Sequence, residues 1–250
     1  MRIQAALQEE SIQEGTSLII PALQWPRRRV YCSLVTGLAI ASVLGVLLSF
    51  SLQTVHPYRG GLLMSASASF LLVAVFGGAL RSVYGRLIFT GLLCCALGDY
   101  LGFHDFIWGA AAFLVAHVFF IAGFWTTGVE WKRAARITPL VILIDLAVLL
   151  WLYGGMSNTD RPIALAYVVV ISAMVVFAFS VSAPRRRTLI PLAASLFYIS
   201  DIFVARWRFT DTGLINGYFC YPIYYSACVL FAWTACLYSE ERPAVMPRER

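Results

Sequence analysis

Residues Gly91–Phe124 read GLLCCALGDYLGFHDFIWGAAAFLVAHVFFIAGF, two apolar runs joined by a short polar knot. The second run, and the first once it is extended back to residue 84, are each long enough to cross a bilayer as a helix, since about 20 residues at 1.5 Å each span a ~30 Å hydrocarbon core. The first carries an aspartate, Asp99, and the second a histidine, His117, deep in apolar surroundings. Around Asp99 the small residues Gly91, Cys95, Gly98 and Gly102 recur at helical spacing, which lets a neighbouring backbone approach closely. A carboxylate so placed costs about 3 kcal/mol at the bilayer centre and less towards an interface. The other apolar runs read as a container for this site and for one matching acid, Asp201.

The composition agrees with that reading along the whole chain. Of 250 residues, 60% are hydrophobic and only 13% charged, and the mean hydropathy is +0.77. Soluble domains carry about 25% charged residues. The fold class expected is therefore all-α, a polytopic membrane protein with a bundle of about eight transmembrane helices. Hydropathy places them near 30–50, 60–80, 84–103, 106–125, 134–153, 161–181, 187–207 and 216–238. Short loops punctuated by Gly, Pro or Asn make sequential helices antiparallel neighbours. The chain thus divides into an N-terminal segment 1–29, amphipathic or disordered, a transmembrane domain 30–238, and a tail 239–250. Arg27 to Arg29 followed by an apolar run imitate a signal peptide, but the run is too long and no small-x-small cleavage site follows it.

Fifteen of the 19 basic residues fall on one side of this layout: before the first helix, in the second, fourth and sixth loops, and in the tail. Only Arg59, Arg161, Arg206 and Arg208 fall on the other. The bias predicts that both termini are cytoplasmic, with the plasma (inner) membrane as the expected location. Contact with anionic membrane lipids then accounts for the arginine clusters, and no nucleic acid is implied. All six cysteines lie in apolar runs, with no metal-ligand or secreted-disulfide spacing, and read as small packing residues.

In this orientation Asp99 lies roughly 6 Å below the outer end of the third helix and Asp201 roughly 9 Å below that of the seventh. Two carboxylates on different helices share a depth. His117 falls near the midplane. Asp145, in the fifth helix, lies roughly 12 Å from its outer end with no second polar residue beside it, which favours a structural role. Tyr224 and Tyr225 sit a third of the way down the last helix. Each has a packing alternative: an acid bonded to a neighbouring backbone, a satisfied core histidine, an interfacial tyrosine. Coincidence of depth and a repeated pattern favour function. Gly98-Asp99 and Ser200-Asp201 both lie near the end of an outward helix and precede an inward one, a faint four-plus-four repeat.

The run ALGDYLGFHDFIWGAAAFLVAHVFFIAGF resembles the G-D…F-x-x-G-x-x-x-F-x-x-x-H signature of the YhhN-like lysoplasmalogenase family. LFYISDIFVARWRF resembles its F-x-x-S-D stretch, and PIYYSACVLFAW its Tyr-Tyr start to the last helix. The resemblance covers about residues 60 to 238 and implies a membrane hydrolase. Such an enzyme cleaves the vinyl ether bond of lysoplasmalogens to a fatty aldehyde and a glycerophospho-headgroup. It implicates Asp99 and Asp201 as catalytic acids, supported by His117, Tyr224, Tyr225 and Ser200. Where the family has a Lys-Pro pair opening the second helix, this chain has HPYRGGLL, and only Arg59 substitutes for the cation. A family Gln is Cys228 here, and a family Tyr is Phe120.

Two buried acids suit that chemistry. A vinyl ether hydrolyses by protonation at the β-carbon, giving an oxocarbenium ion that water traps as a hemiacetal. One carboxylic acid delivers the proton, and a second carboxylate stabilises the cation and activates water, the division of labour found in glycosidases. The reaction needs lysophospholipid and water but no cofactor. A three-His zinc site is disfavoured, because His56, His104 and His117 lie at different depths or in loops, and no G-x-S-x-G elbow is present. The non-enzymatic alternative is a transporter or lipid-binding protein that uses the acids as a proton or cation relay.

The topology is testable directly. A cysteine replacing Asn158 is expected to label with an impermeant maleimide in intact cells, and one replacing Arg250 only after permeabilisation. The opposite pattern reverses the orientation.

Overall fold

The computed structural model describes residues 25–182 and 188–240. Eight α-helices account for nearly all of them: α1 (Trp25–Ser51), α2 (Arg59–Phe76), α3 (Val83–His104), α4 (Phe106–Trp125), α5 (Trp131–Leu152), α6 (Asp160–Phe179), α7 (Leu189–Phe209) and α8 (Ile215–Glu240). All eight are long and apolar enough to span a membrane. The chain is an integral membrane protein built as an all-helical bundle. Helix α1 already begins at Trp25, inside the segment expected to precede it, and α8 runs to Glu240. The rest of the terminal segments lies outside the described residues.

The helices end where local chemistry makes them end. Helix α2 stops before its apolar run does, because Gly78 adopts a left-handed φ of 84° and a 3-10 turn, Ala79–Arg81, follows. Ser82 then caps α3, accepting a hydrogen bond from the Gly85 amide at 3.0 Å. A single residue, Asp105, separates α3 from α4. Its carboxylate accepts from the amides of Ile107 and Trp108 at 2.9 and 3.1 Å, so the polar knot is a helix cap. Helix α6 ends at Phe179, where the Ser180 carbonyl accepts from the Glu130 amide at 2.7 Å and joins the α4–α5 and α6–α7 connections.

The tightest helix pairs are α3 with α4, α7 with α8, and α1 with α2. Glycine explains the first. A Cβ added at Gly109 would stand 2.6 Å from the Gly102 Cα, and one at Gly98 or Gly91 would strike the rings of Phe113 or Phe120 at 2.9 or 2.5 Å. The small residues noted around Asp99 are thus the seam along which α4 folds back on α3. Helix α8 is the most buried span and α5 the least. Helix α8 packs against α1, α2, α3 and α7, whereas α5 touches chiefly α6 and turns Ile142, Leu143, Leu146 and Leu150 outward.

Gly109→Leu is expected to force the α3–α4 seam apart. It should lower the thermal midpoint in detergent by an amount equivalent to at least 1–3 kcal/mol, roughly the cost of overpacking. Gly37→Ala, where an added Cβ meets nothing within 4 Å, is the matched control.

Candidate active site

Between the α3–α4 and α7–α8 hairpins, with α5 and α6 closing one side, lies a cavity of about 530 Å³. That is within the range of small-molecule sites, and its walls are mostly apolar. The polar exceptions are few. Asp99, Asp201, Ser200 and Tyr224 all line it, as do Tyr167, Asp145 and Tyr198. The two acids singled out in the sequence, 102 positions apart, face one space.

Asp99 projects from α3 into a cluster of hydroxyls. Its Oδ2 accepts from Ser67 Oγ of α2 at 2.5 Å and from Tyr224 Oη of α8 at 3.0 Å. Tyr225 Oη divides its bond between the same oxygen at 3.3 Å and the Leu63 carbonyl at 3.2 Å. Asp201 projects from α7. Its Oδ2 accepts from Tyr167 Oη of α6 at 2.6 Å, and its Oδ1 lies 3.3 Å from Ser200 Oγ. Hydrogen bonds to charged groups are worth about 1.5–3 kcal/mol each, enough to offset the cost of placing an acid here.

His117, named with the acids as a supporting residue, does not line the cavity. It is fully buried behind Asp201, with Nε2 3.9 Å from Asp201 Oδ2, too long for a direct hydrogen bond. Neither ring nitrogen has a hydrogen-bond partner among the described residues. The ring is held edge-on by Tyr167 and Phe197, with centroids 5.4 and 4.8 Å away. Its place was set by packing on α6 and α7, which depth counting does not see.

Arg59 also lies away from the cavity wall. It donates to His56 Nε2 at 2.8 Å and rests over the Phe50 ring. Among the described residues, the basic side chain on the wall is Arg208. Asp145 is not alone either. It accepts from Ser172 Oγ of α6 at 2.7 Å and Tyr198 Oη of α7 at 2.6 Å, and it lines the same cavity. Cys228 and Phe120 are buried in the core, Phe120 stacked on Phe231 at 4.5 Å. Sequence reasoning missed Ser67 and Tyr167 altogether. The signals were slight: alternating serines at Ser65, Ser67 and Ser69 in the apolar run of α2, and one tyrosine in that of α6.

The YhhN family model matches residues 60–235. This chain belongs to the YhhN family. The matched region takes in nearly all of α2 through most of α8, and so every residue placed on the cavity wall above. No match was found among curated proteins or among solved structures.

The Tyr167–Asp201 bond can be measured by a double-mutant cycle. Tyr167→Phe and Asp201→Asn are expected to be non-additive, with a coupling of about 1–3 kcal/mol in detergent unfolding. Additive effects would mean that the bond contributes nothing.

Proposed function

We propose that this YhhN protein hydrolyses the vinyl ether bond of a lysoplasmalogen-type lysolipid by carboxylic acid catalysis. The observation that carries the reading is that Asp99 and Asp201, on separate helix hairpins, line one largely apolar cavity. The resemblance to lysoplasmalogenases supplies the substrate class, and an apolar pocket with a few convergent polar groups suits a single-chain lipid.

In this mechanism one carboxyl group of the pair transfers its proton to the β-carbon of the vinyl ether. The double-bond electrons form the new C–H bond, and the ether oxygen stabilises the oxocarbenium ion. The second carboxylate faces that cation and takes a proton from water as its oxygen bonds to the α-carbon. The hemiacetal then collapses, its hydroxyl proton passing to the departing glycerol oxygen through the carboxyl pair, and the fatty aldehyde leaves. The two acids act as one proton-sharing unit. Ser67, Tyr224, Tyr225 and Tyr167 are positioning residues, fixing the carboxyl planes through hydrogen bonds. His117 backs Asp201 and limits its rotation. With both termini cytoplasmic, the cavity lies nearer the outer face and takes lipid from the outer leaflet.

Asp99→Asn and Asp201→Asn preserve size and most hydrogen bonds. Each is expected to lower aldehyde release from a lysoplasmalogen by at least ~10²-fold, the usual worth of a general acid or base. The saturated ether analogue is the non-substrate control, and turnover in D₂O should show a normal isotope effect. Asp145→Asn should keep most activity. Wild-type turnover in both Asp99→Asn and Asp201→Asn would eliminate the two-acid mechanism. Absence of hydrolysis in the wild-type protein would favour lipid binding or transport.

A further inference from the structure

Among the described residues Arg208 is the basic side chain on the cavity wall. It stands seven residues beyond Asp201 on α7, so it lies on nearly the same helix face and about 10 Å closer to the helix end. Its side chain is 44% exposed, whereas that of Asp201 is 16% exposed, which places Arg208 at the rim. Its guanidinium carbon rests 5.0 Å from the Phe106 ring centroid. Among the described residues its charged neighbour is Asp160, whose Oδ1 lies 3.8 Å away, beyond hydrogen-bond distance. Five N–H donors are therefore little used.

Arg206, in the same helical turn, behaves differently. It donates to Asp211 at 2.7 Å and does not line the cavity. A helix C-terminus favours cations, which accounts for both arginines being in the last turn but not for Arg208 facing the cavity. Asp160 is half committed. Its Oδ2 accepts from Ser157 Oγ and the Ser157 amide at 2.6 and 3.2 Å, while Oδ1 meets only the loose approach of Arg208. Arg208 at the rim and the less exposed Asp160 beside it thus form a pre-aligned cation and anion, each with bonding capacity to spare.

We propose that Arg208 and Asp160 form the headgroup subsite of this cavity: Arg208 takes the phosphate, and Asp160 the amine, of a zwitterionic glycerophospholipid. The proposal rests on the vinyl ether reading, because it is the reacting bond at Asp99 and Asp201 that sets the glycerophosphate towards the rim. A guanidinium binds phosphate through paired N–H bonds, and phosphate binding would loosen the present approach to Asp160, freeing Oδ1 for the ammonium. The subsite would make phospholipids preferred over neutral alkenylglycerols carrying the same vinyl ether.

The test compares three substrates on the full-length protein in detergent: 1-alkenyl-lysophosphoethanolamine, 1-alkenylglycerol phosphate and 1-alkenylglycerol. Arg208→Gln is expected to lower kcat/KM for both phosphate-bearing substrates ~10–100-fold more than for 1-alkenylglycerol, mainly through KM, with partial rescue by Arg208→Lys. Asp160→Asn should lower the preference for the ethanolamine substrate over the bare phosphate. Equal losses on all three substrates in Arg208→Gln would mean a structural role and overturn the subsite, as would an unchanged preference. Binding of a saturated-ether lysophosphoethanolamine, which cannot be cleaved, gives a second readout. If the wild-type protein cleaves none of the substrates, the hydrolysis reading fails. The headgroup subsite then stands or falls on whether Arg208→Gln weakens that binding at least ~10-fold.

Discussion

A carboxyl group inside an apolar bundle must find hydrogen-bond donors on neighbouring helices, and this requirement ties the structure together. Asp99 takes its donors from α2 and α8, Asp201 from α6, and Asp145 from α6 and α7. Every one of these bonds joins different helices. In lipid the helices gain little from burying apolar surface against one another, so close packing and such interhelical bonds carry the association. The donors around Asp99 and Asp145 together balance a cost of about 3 kcal/mol per acid by about 1.5–3 kcal/mol per bond.

The division of labour among helices follows. The α3–α4 seam is made by glycines, which bring backbones into contact and leave one face of α3 free to present Asp99. Helix α8 supplies the paired tyrosines from the centre of the bundle, where they reach Asp99 and the Leu63 carbonyl together. Helix α5 is the reverse case. It is the least buried span, and Asp145 gives it two polar bonds to its neighbours. An acid in a poorly packed helix has anchoring value that a well-packed helix does not need. That role is compatible with its facing the cavity.

The cavity is graded in polarity. Its wall is mainly apolar, the two acids of the proposed mechanism stand part-way along it, and Arg208 stands at the rim with Asp160 beside it. A lysolipid has the same order of chemistry along its length: chain, ether bond, glycerol, charged headgroup. Aromatic side chains hold the gradient in place, Phe106 under the Arg208 guanidinium and Phe113 and Phe197 edge-on to Tyr224. Rings set at such angles are rigid supports for hydroxyls that must hold one orientation.

The eight helices, the alternation of loops and the seam of small residues could be read directly from the chain, because hydropathy and helical spacing are properties of consecutive residues. So could Asp99, Asp201 and the tyrosine pair, since a polar residue in an apolar run stands out locally and the family pattern repeats it. What the chain alone could not decide was which groups meet across helices. Ser67 and Tyr167 look like ordinary residues of α2 and α6 until the bundle sets them against an acid. Depth counting put His117 near the midplane without showing that it stands behind Asp201, and left Asp145 without company, because it gives height along a helix but not rotation about its axis. Arg59 and Arg208 both lie at helix ends on the same side, and only packing turned one to Phe50 and the other to the cavity. Height is a one-dimensional property and is written in the sequence; facing depends on every neighbouring helix at once, and so the tertiary structure decided it.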